Sequence, residues 1–232
     1  MQEYGGNMFC NPEATGIQFS PNAGKLLTPT EPTKVIALWN NFHALGDTLN
    51  LPVPEEPLYL LKAPNSFLAT GETLRHPRCA GKVVFEGELG IVIGKTCSAI
   101  PEAEALGPVS GYTAAHDVTV ADTLNRDASF APWSCAKGFH TFCPMGPVVA
   151  PGLDPATLSV TTMLNSEWCQ HFPVSDMRFP VAQLVSLISF DMTLFPGDVI
   201  LCGTSVGVGS IKPACTVEVE ISAIGKLGNR FG

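Results

Sequence analysis

Val83-Val84-Phe85-Glu86-Gly87-Glu88-Leu89-Gly90-Ile91-Val92-Ile93-Gly94 is the stretch on which the fold turns. It is rich in β-branched residues and bounded by Gly81 and Gly94, which predicts one buried strand across 83–94. Side chains two apart on a strand share a face, so Glu86 and Glu88 point to one place. Two like charges on an apolar strand repel each other and lose hydration, which is costly unless a cation or a proton lies between them. The competing expectation is a solvated face carrying two glutamates. The apolar run of Leu89 and Ile91 to Ile93, on both faces, weighs against it.

With 232 residues, 45% of them hydrophobic and 15% charged, the chain is long enough for one large core. Its net charge of −8, with no Lys/Arg cluster, argues against a nucleic-acid or anionic-membrane partner. No apolar run reaches the roughly 18 residues that span a bilayer, and Met1 to Cys10 has neither a basic nor an apolar leader segment. A cytoplasmic location is therefore expected. The eight cysteines (10, 79, 97, 135, 143, 169, 202 and 215) form no CxxC pair, so reduced thiols are expected rather than a zinc or thioredoxin-like motif.

Residues 1–33 are rich in Pro, Gly, Asn and Thr and read as an irregular segment, with a short strand near Ile17-Gln18-Phe19. From 34 to 232 the pattern fits a single domain. Strands are expected at 35–38, 58–62, 109–117, 158–164, 168–174, 199–202 and 216–221, and short helices at 39–49, 101–106, 119–125 and 180–189. Leu184, Leu187 and Ile188 should face inward on the last of these helices. No βαβ alternation appears, which predicts an α+β, β-rich domain with a mixed, mostly antiparallel sheet.

Four places carry candidate chemistry. His43 follows a strand end on a short helix, where it is either a proton carrier or a packed or surface histidine. Asp117 closes a strand and is either functional or the N-cap of the next helix. Lys137 is a lone lysine among small and aromatic residues, either paired or snorkelling. Gly203-Thr204-Ser205-Val206-Gly207 formally fits GxSxG, yet that elbow must lead into a helix and here it leads into Gly209-Ser210-Ile211-Lys212-Pro213. Its backbone N–H groups and the Thr204 hydroxyl suit a carboxylate instead, and a plain tight turn is the alternative.

Glu86 to Lys95, Gly111 to Thr119, Ala136 to Phe139, Pro196 to Ile200 and Gly203 to Gly209 together resemble the ordered blocks of the fumarylacetoacetate hydrolase family, over about residues 34–231. The resemblance implies a β-roll of the family's C-terminal domain type, a homodimer, and activity on 2-oxo acids and their enols. It implies Glu86, Glu88 and Asp117 as ligands of a divalent cation, Lys137 in the active site, and Thr204 with Gly203 holding a substrate carboxylate. The family's water-activating His-x-x-Glu dyad is incomplete, since His43-Ala44-Leu45-Gly46 ends in glycine. Ala121 stands where the family often has arginine, which leaves Arg75, Arg78 and Arg126 as unplaced anion contacts. The block Ala37 to His43 is more like the isomerase/decarboxylase branch, which processes ring-cleavage products in aromatic catabolism.

Three carboxylates without His or Cys make a hard oxygen site suited to Mg²⁺ or Mn²⁺. Such an ion polarises a 2-oxo group and stabilises the enolate left by loss of a proton or CO₂, or by C–C cleavage. Only hydrolysis needs an activated water, so the missing glutamate favours isomerisation or decarboxylation of a 2-oxo dicarboxylic acid, with Lys137 and His43 as catalytic groups. A C–C hydrolase of acylpyruvate-like substrates and a non-catalytic metal-stabilised binding protein are the alternatives. Helix propensity alone would tolerate Gly46→Glu. Asp47 lies about 100° further round the helix, turned away from His43.

Overall fold

The computed structural model describes residues 2–5, 13–18, 24–78, 81–124 and 126–232. A seven-stranded sheet runs in the order Leu58–Lys62, Val35–Trp39, Val199–Leu201, Gly87–Ile93, Val109–His116, Cys143–Ala150, Phe67–Leu68. A five-stranded sheet runs Glu167–Pro173, Ser159–Leu164, Thr216–Ile221, Gly225–Phe231, Thr73–Leu74. Pairing is mostly antiparallel, with parallel pairs such as Val199–Leu201 beside Val35–Trp39. This is the sheet-rich, mixed α+β architecture that the absence of βαβ alternation predicted. Among the described residues no helix is long and apolar enough to cross a membrane, and the six described cysteines are free thiols.

Period-2 alternation explains how the large sheet is buried on both faces. Leu89, Ile91 and Ile93 point to the core shared with Val160, Phe172 and Val219 of the second sheet. Val92, with Val35, Ala37 and Val199, belongs to a separate cluster. Helix Val181–Asp191 seals the first core with Leu184, Val185 and Ile188 fully buried and Leu187 half-buried. Truncating Leu184 to Ala would cost about 2–5 kcal/mol. At the start of strand Val35–Trp39, the buried Asp198 carboxylate accepts the N–H groups of Thr33 (3.0 Å), Lys34 (3.1 Å) and Phe195 (2.8 Å), fixing the approach of the two parallel strands.

The structure corrects the expected strand across 83–94. Val83–Phe85 belongs to a three-stranded sheet with Thr119–Val120 and Gly209–Ser210, whereas Gly87–Ile93 belongs to the large sheet. The chain changes sheets at Glu86, whose carbonyl accepts the Asp117 N–H at 3.0 Å. Gly87 then passes tight under the second sheet, where a Cβ would come 2.0 Å from Thr162 Oγ1.

Other boundaries also shift. The helix expected at 119–125 is strand Thr119–Val120 followed by the one-turn helix Ala121–Leu124, so Asp117 caps no helix. The helix expected at 39–49 shortens to His43–Thr48, and the one expected at 101–106 is the 3₁₀ turn Glu102–Glu104. The stretch 126–144, where no element was expected, contains helix Trp133–Lys137. The expected strand near Ile17-Gln18 is Glu13–Gln18, with Phe19 outside the described residues.

Candidate functional site

The sheet change at Glu86 and the end of strand Val109–His116 bring three acids together. Carboxylate oxygens of Glu86, Glu88 and Asp117, all buried, lie within 4.8 Å of one another. Glu88 Oε2 accepts the Gly203 N–H at 2.7 Å, while Oε1 has no partner among the described residues. Burial, then the neighbouring Asp117 and Glu86 carboxylates, pushes the Glu88 pKa well above the usual carboxylate range. A fully buried oxygen with nothing to bond, in a cluster of hard donors, fits a divalent cation.

Two lysines serve this cluster, and only one was singled out from the sequence. Lys137 closes helix Trp133–Lys137 and is buried, not snorkelling. Its Nζ donates to Glu86 Oε2 (2.8 Å), Asp117 Oδ2 (2.6 Å) and Thr119 Oγ1 (2.7 Å). An ammonium has three donors, so every one is engaged within the protein. Burial works against its charge, but Asp117 and Glu86 more than offset this and raise the Lys137 pKa. Lys62, at the end of strand Leu58–Lys62, donates to Asp117 Oδ1 (2.6 Å) and to the Phe142 carbonyl (3.0 Å). Burial opposes ionisation of Asp117 too, yet the two ammoniums hold its carboxyl below the ordinary range. Its neighbour His116 is fully buried, and burial lowers its pKa to about 3, so the imidazole is neutral.

The glycine-rich loop adds the fourth side. Gly203 has φ +87°, which glycine tolerates and which lets its N–H face Glu88. Thr204 Oγ1 donates to the Gly87 carbonyl (2.9 Å) and accepts from Gln170 Nε2 (2.9 Å), and Gln170 Oε1 accepts the Gly87 N–H (3.1 Å). Gln170 and Thr119 were not singled out from the sequence. Alternation along strand Glu167–Pro173 could have flagged Gln170, because it shares an inward face with Phe172. Ser205 Oγ is buried and unpartnered among the described residues, and strand Gly209–Ser210 follows instead of a helix, so the nucleophile elbow is absent.

A cavity of about 390 Å³ opens beside Glu86, Thr119 and Thr204. The one-turn-and-a-half helix His43–Thr48 walls it with Leu45 and Thr48. His43, Gly46 and Asp47 lie on the other side of that helix, against Arg178. His43 is exposed with Nδ1 3.4 Å from Arg178 Nη1, and Asp47 Oδ1 is 3.4 Å from Nη2. The structure therefore brings Lys137, Thr204 and the three acids together and leaves His43 outside. Arg75, Arg78 and Arg126 are exposed and none lines the cavity. Arg178 is half-buried, with its side chain 4% exposed.

The chain is similar to known proteins over most of its length. Residues 34–232 match the family model of the fumarylacetoacetate (FAA) hydrolase C-terminal domain. The solved structure of a 2-hydroxyhepta-2,4-diene-1,7-dioate isomerase from Mycobacterium marinum superposes with a TM-score of 0.91 at 36% identity, covering 99% of this chain and 86% of that one. A 2,4-didehydro-3-deoxy-L-rhamnonate hydrolase from Sphingomonas is 35% identical over 84% of this chain and 69% of its own length. A mitochondrial oxaloacetate tautomerase of Homo sapiens is 34% identical over 87% of this chain and 67% of its own.

Proposed function

The chain belongs to the fumarylacetoacetate hydrolase family, and from that premise we propose that it is a divalent-cation-dependent enzyme that tautomerises or decarboxylates a 2-oxo acid through its enolate. The observation that carries this is the buried three-carboxylate cluster with its unpartnered Glu88 oxygen. Glu86, Glu88 and Asp117 would hold Mg²⁺ or Mn²⁺, which when bound supplies Lewis-acid polarisation of the 2-oxo group and electrostatic stabilisation of the enolate.

The chain's own residues do the rest. Lys137 and Lys62 hold the Asp117 carboxylate between them and keep it ionised. Lys137 also fixes Glu86, and it must release one of its three bonds before it can donate to a substrate oxygen. Gln170 and the Gly87 carbonyl hold the Thr204 hydroxyl on the cavity wall, and to receive the substrate carboxylate Thr204 would release the Gly87 carbonyl and the Gly203 N–H would release Glu88. His43 is assigned no proton-transfer step in this arrangement, because it faces Arg178 and not the cavity.

Hydrolysis would need a base to activate water. Among the described residues the cavity lining offers Glu86 alone, already bonded to Lys137 and Thr119. Tautomerisation and decarboxylation need no activated water; each still moves a proton to or from carbon, for which Glu86 is the titratable group on the lining, and the isomerase and tautomerase relatives favour these reactions. A panel of 2-oxo acids assayed with Mg²⁺ and Mn²⁺ tests this, following ultraviolet loss of the enol, CO₂ release and cleavage products in parallel. Enol loss or CO₂ release should dominate. Cleavage of an acylpyruvate as the fastest reaction would make the chain a hydrolase like its Sphingomonas relative, and cation binding with no turnover would make it a binding protein.

A further inference from the structure

The cavity beside the carboxylate cluster is chemically one-sided. Its polar end is Glu86, Thr119 and Thr204, and the rest of the wall is apolar (Trp39, Leu45, Leu49, Val84, Leu124 and Val206) apart from the uncharged Thr48. No lysine, arginine or histidine lines it. All thirteen lysines and arginines of the sequence fall among the described residues, so none is hidden elsewhere in the chain. The two that reach the polar end, Lys62 and Lys137, already bond to Asp117, Glu86, Thr119 and the Phe142 carbonyl.

Charge at the polar end leads to the same conclusion. Three carboxylates against two lysines leave one negative charge in excess, a divalent cation would turn this into one positive charge, and a single substrate carboxylate neutralises it. A second carboxylate further along would lie against Trp39, Leu49 and Val206 with no cation to pair with it, keeping only the water that reaches the exposed rim at Leu49 and Val206. An alkyl or unsaturated chain in the same place would instead gain from leaving water. The cavity is also small, near the lower end of the roughly 300–1,000 Å³ of small-molecule sites.

We propose that the substrate is a 2-oxo acid with a single carboxylate, gripped at the Glu86–Thr204 end, and an uncharged apolar chain along the Trp39–Leu49–Val206 wall. This replaces the dicarboxylic acid expected from the sequence, and it sets the chain apart from its structural neighbour named for a 1,7-dioate. Trp39 is the main surface for the chain: its ring packs on Trp133, 5.2 Å between centroids and tilted by 47°, at the start of the helix that ends in Lys137.

The inference rests on the carboxylate cluster being the cation site for a 2-oxo acid, so the test uses unreactive analogues that separate the two ideas. N-butyl oxamate and N-(3-carboxypropyl) oxamate share the chelating end and differ in the distal carboxylate. Titrated by calorimetry into the Mn²⁺-loaded protein, the butyl compound should bind at least tenfold more tightly. Equal or tighter binding of the carboxypropyl compound would overturn the proposal. If Mn²⁺ binds and neither oxamate does, the 2-oxo acid reading itself fails and takes the inference with it. Leu49→Arg places a cation on the apolar wall at a position already 49% exposed. It should raise carboxypropyl oxamate affinity at least tenfold and leave butyl oxamate within about threefold. No gain would show that the substrate chain does not run along this wall.

Discussion

Lys62 Nζ lies 2.6 Å from Asp117 Oδ1, with both side chains fully buried, while Lys137 takes Oδ2 at the same distance. The carboxylate is thus clamped on both oxygens, and its partners depend on it as much as it depends on them. Breaking a buried pair by removing one member leaves an uncompensated charge and typically costs about 3–5 kcal/mol. Lys62→Met should lose stability on that scale in urea denaturation with chelator present. Asp117→Asn should lose at least as much, because it strands two ammoniums. A loss under about 1 kcal/mol for Lys62→Met would mean that the pair does not hold the site together.

Glu88 is the cleaner probe of cation binding. Without a cation its raised pKa means that its contribution to stability is fully present below the unfolded carboxyl's ordinary value and is lost as pH rises through the higher folded value. Glu88→Gln removes that loss while keeping an oxygen for the Gly203 N–H. At neutral pH in chelator the variant should therefore melt higher than the parent. Added Mn²⁺ should raise the parent's midpoint, by the equivalent of about 2.7 kcal/mol at a hundredfold excess over Kd, and leave the variant's unmoved. A Mn²⁺-induced rise in the variant equal to the parent's would remove Glu88 from the cation site.

Gln170 joins three backbone and side-chain partners that no other described side chain joins: the Gly87 N–H, Thr204 Oγ1 and the Ser205 carbonyl. Gln170→Leu should cost about 1–3 kcal/mol, the penalty of a buried group left without its bond. Gln170→Glu keeps the acceptor for Gly87 but sets a carboxylate against the Ser205 carbonyl. It should weaken oxamate binding by roughly tenfold more than it weakens Mn²⁺ binding. Equal effects on the two ligands would make Gln170 a part of the framework only.

What the sequence made legible follows from periodicity and isolation. Ser159–Leu164 was legible from its alternation, and Gly87–Ile93 from an unbroken apolar, β-branched run that is buried on both faces. Glu86, Glu88 and Lys137 stood out because a charge in an apolar or aromatic setting needs a partner. Lys62 escaped because it ends its strand, where a lysine ordinarily reaches solvent, and only the sheet order carries it to Asp117, 55 residues away. The kink at Glu86 was invisible because its cause is a change of sheet, fixed by Thr119 and Gly209 far along the chain. His43 shows the reverse: a suggestive position on a short helix says nothing about which side faces the cavity.

Gly46 shows how packing can reverse an expectation from propensity. Replacing glycine in a helix with alanine should gain up to about 1 kcal/mol. Here, however, a Cβ would stand 2.3 Å from Arg178 Nη2 and 2.7 Å from Asn40 Oδ1. With its side chain only 4% exposed, Arg178 has little room to retreat. Gly46→Ala should therefore destabilise by about 1–3 kcal/mol, the scale of overpacking, and Gly46→Glu by at least as much, contrary to the tolerance that propensity alone suggests. Arg178→Ala removes the nearer of the two atoms, so in that background Gly46→Ala should cost clearly less, the Asn40 contact remaining. A double-mutant cycle in urea reads the coupling directly. If Gly46→Ala stabilises the protein with Arg178 in place, the guanidinium does not occupy this side of the helix, and the orientation that turns His43 away from the cavity would have to be abandoned.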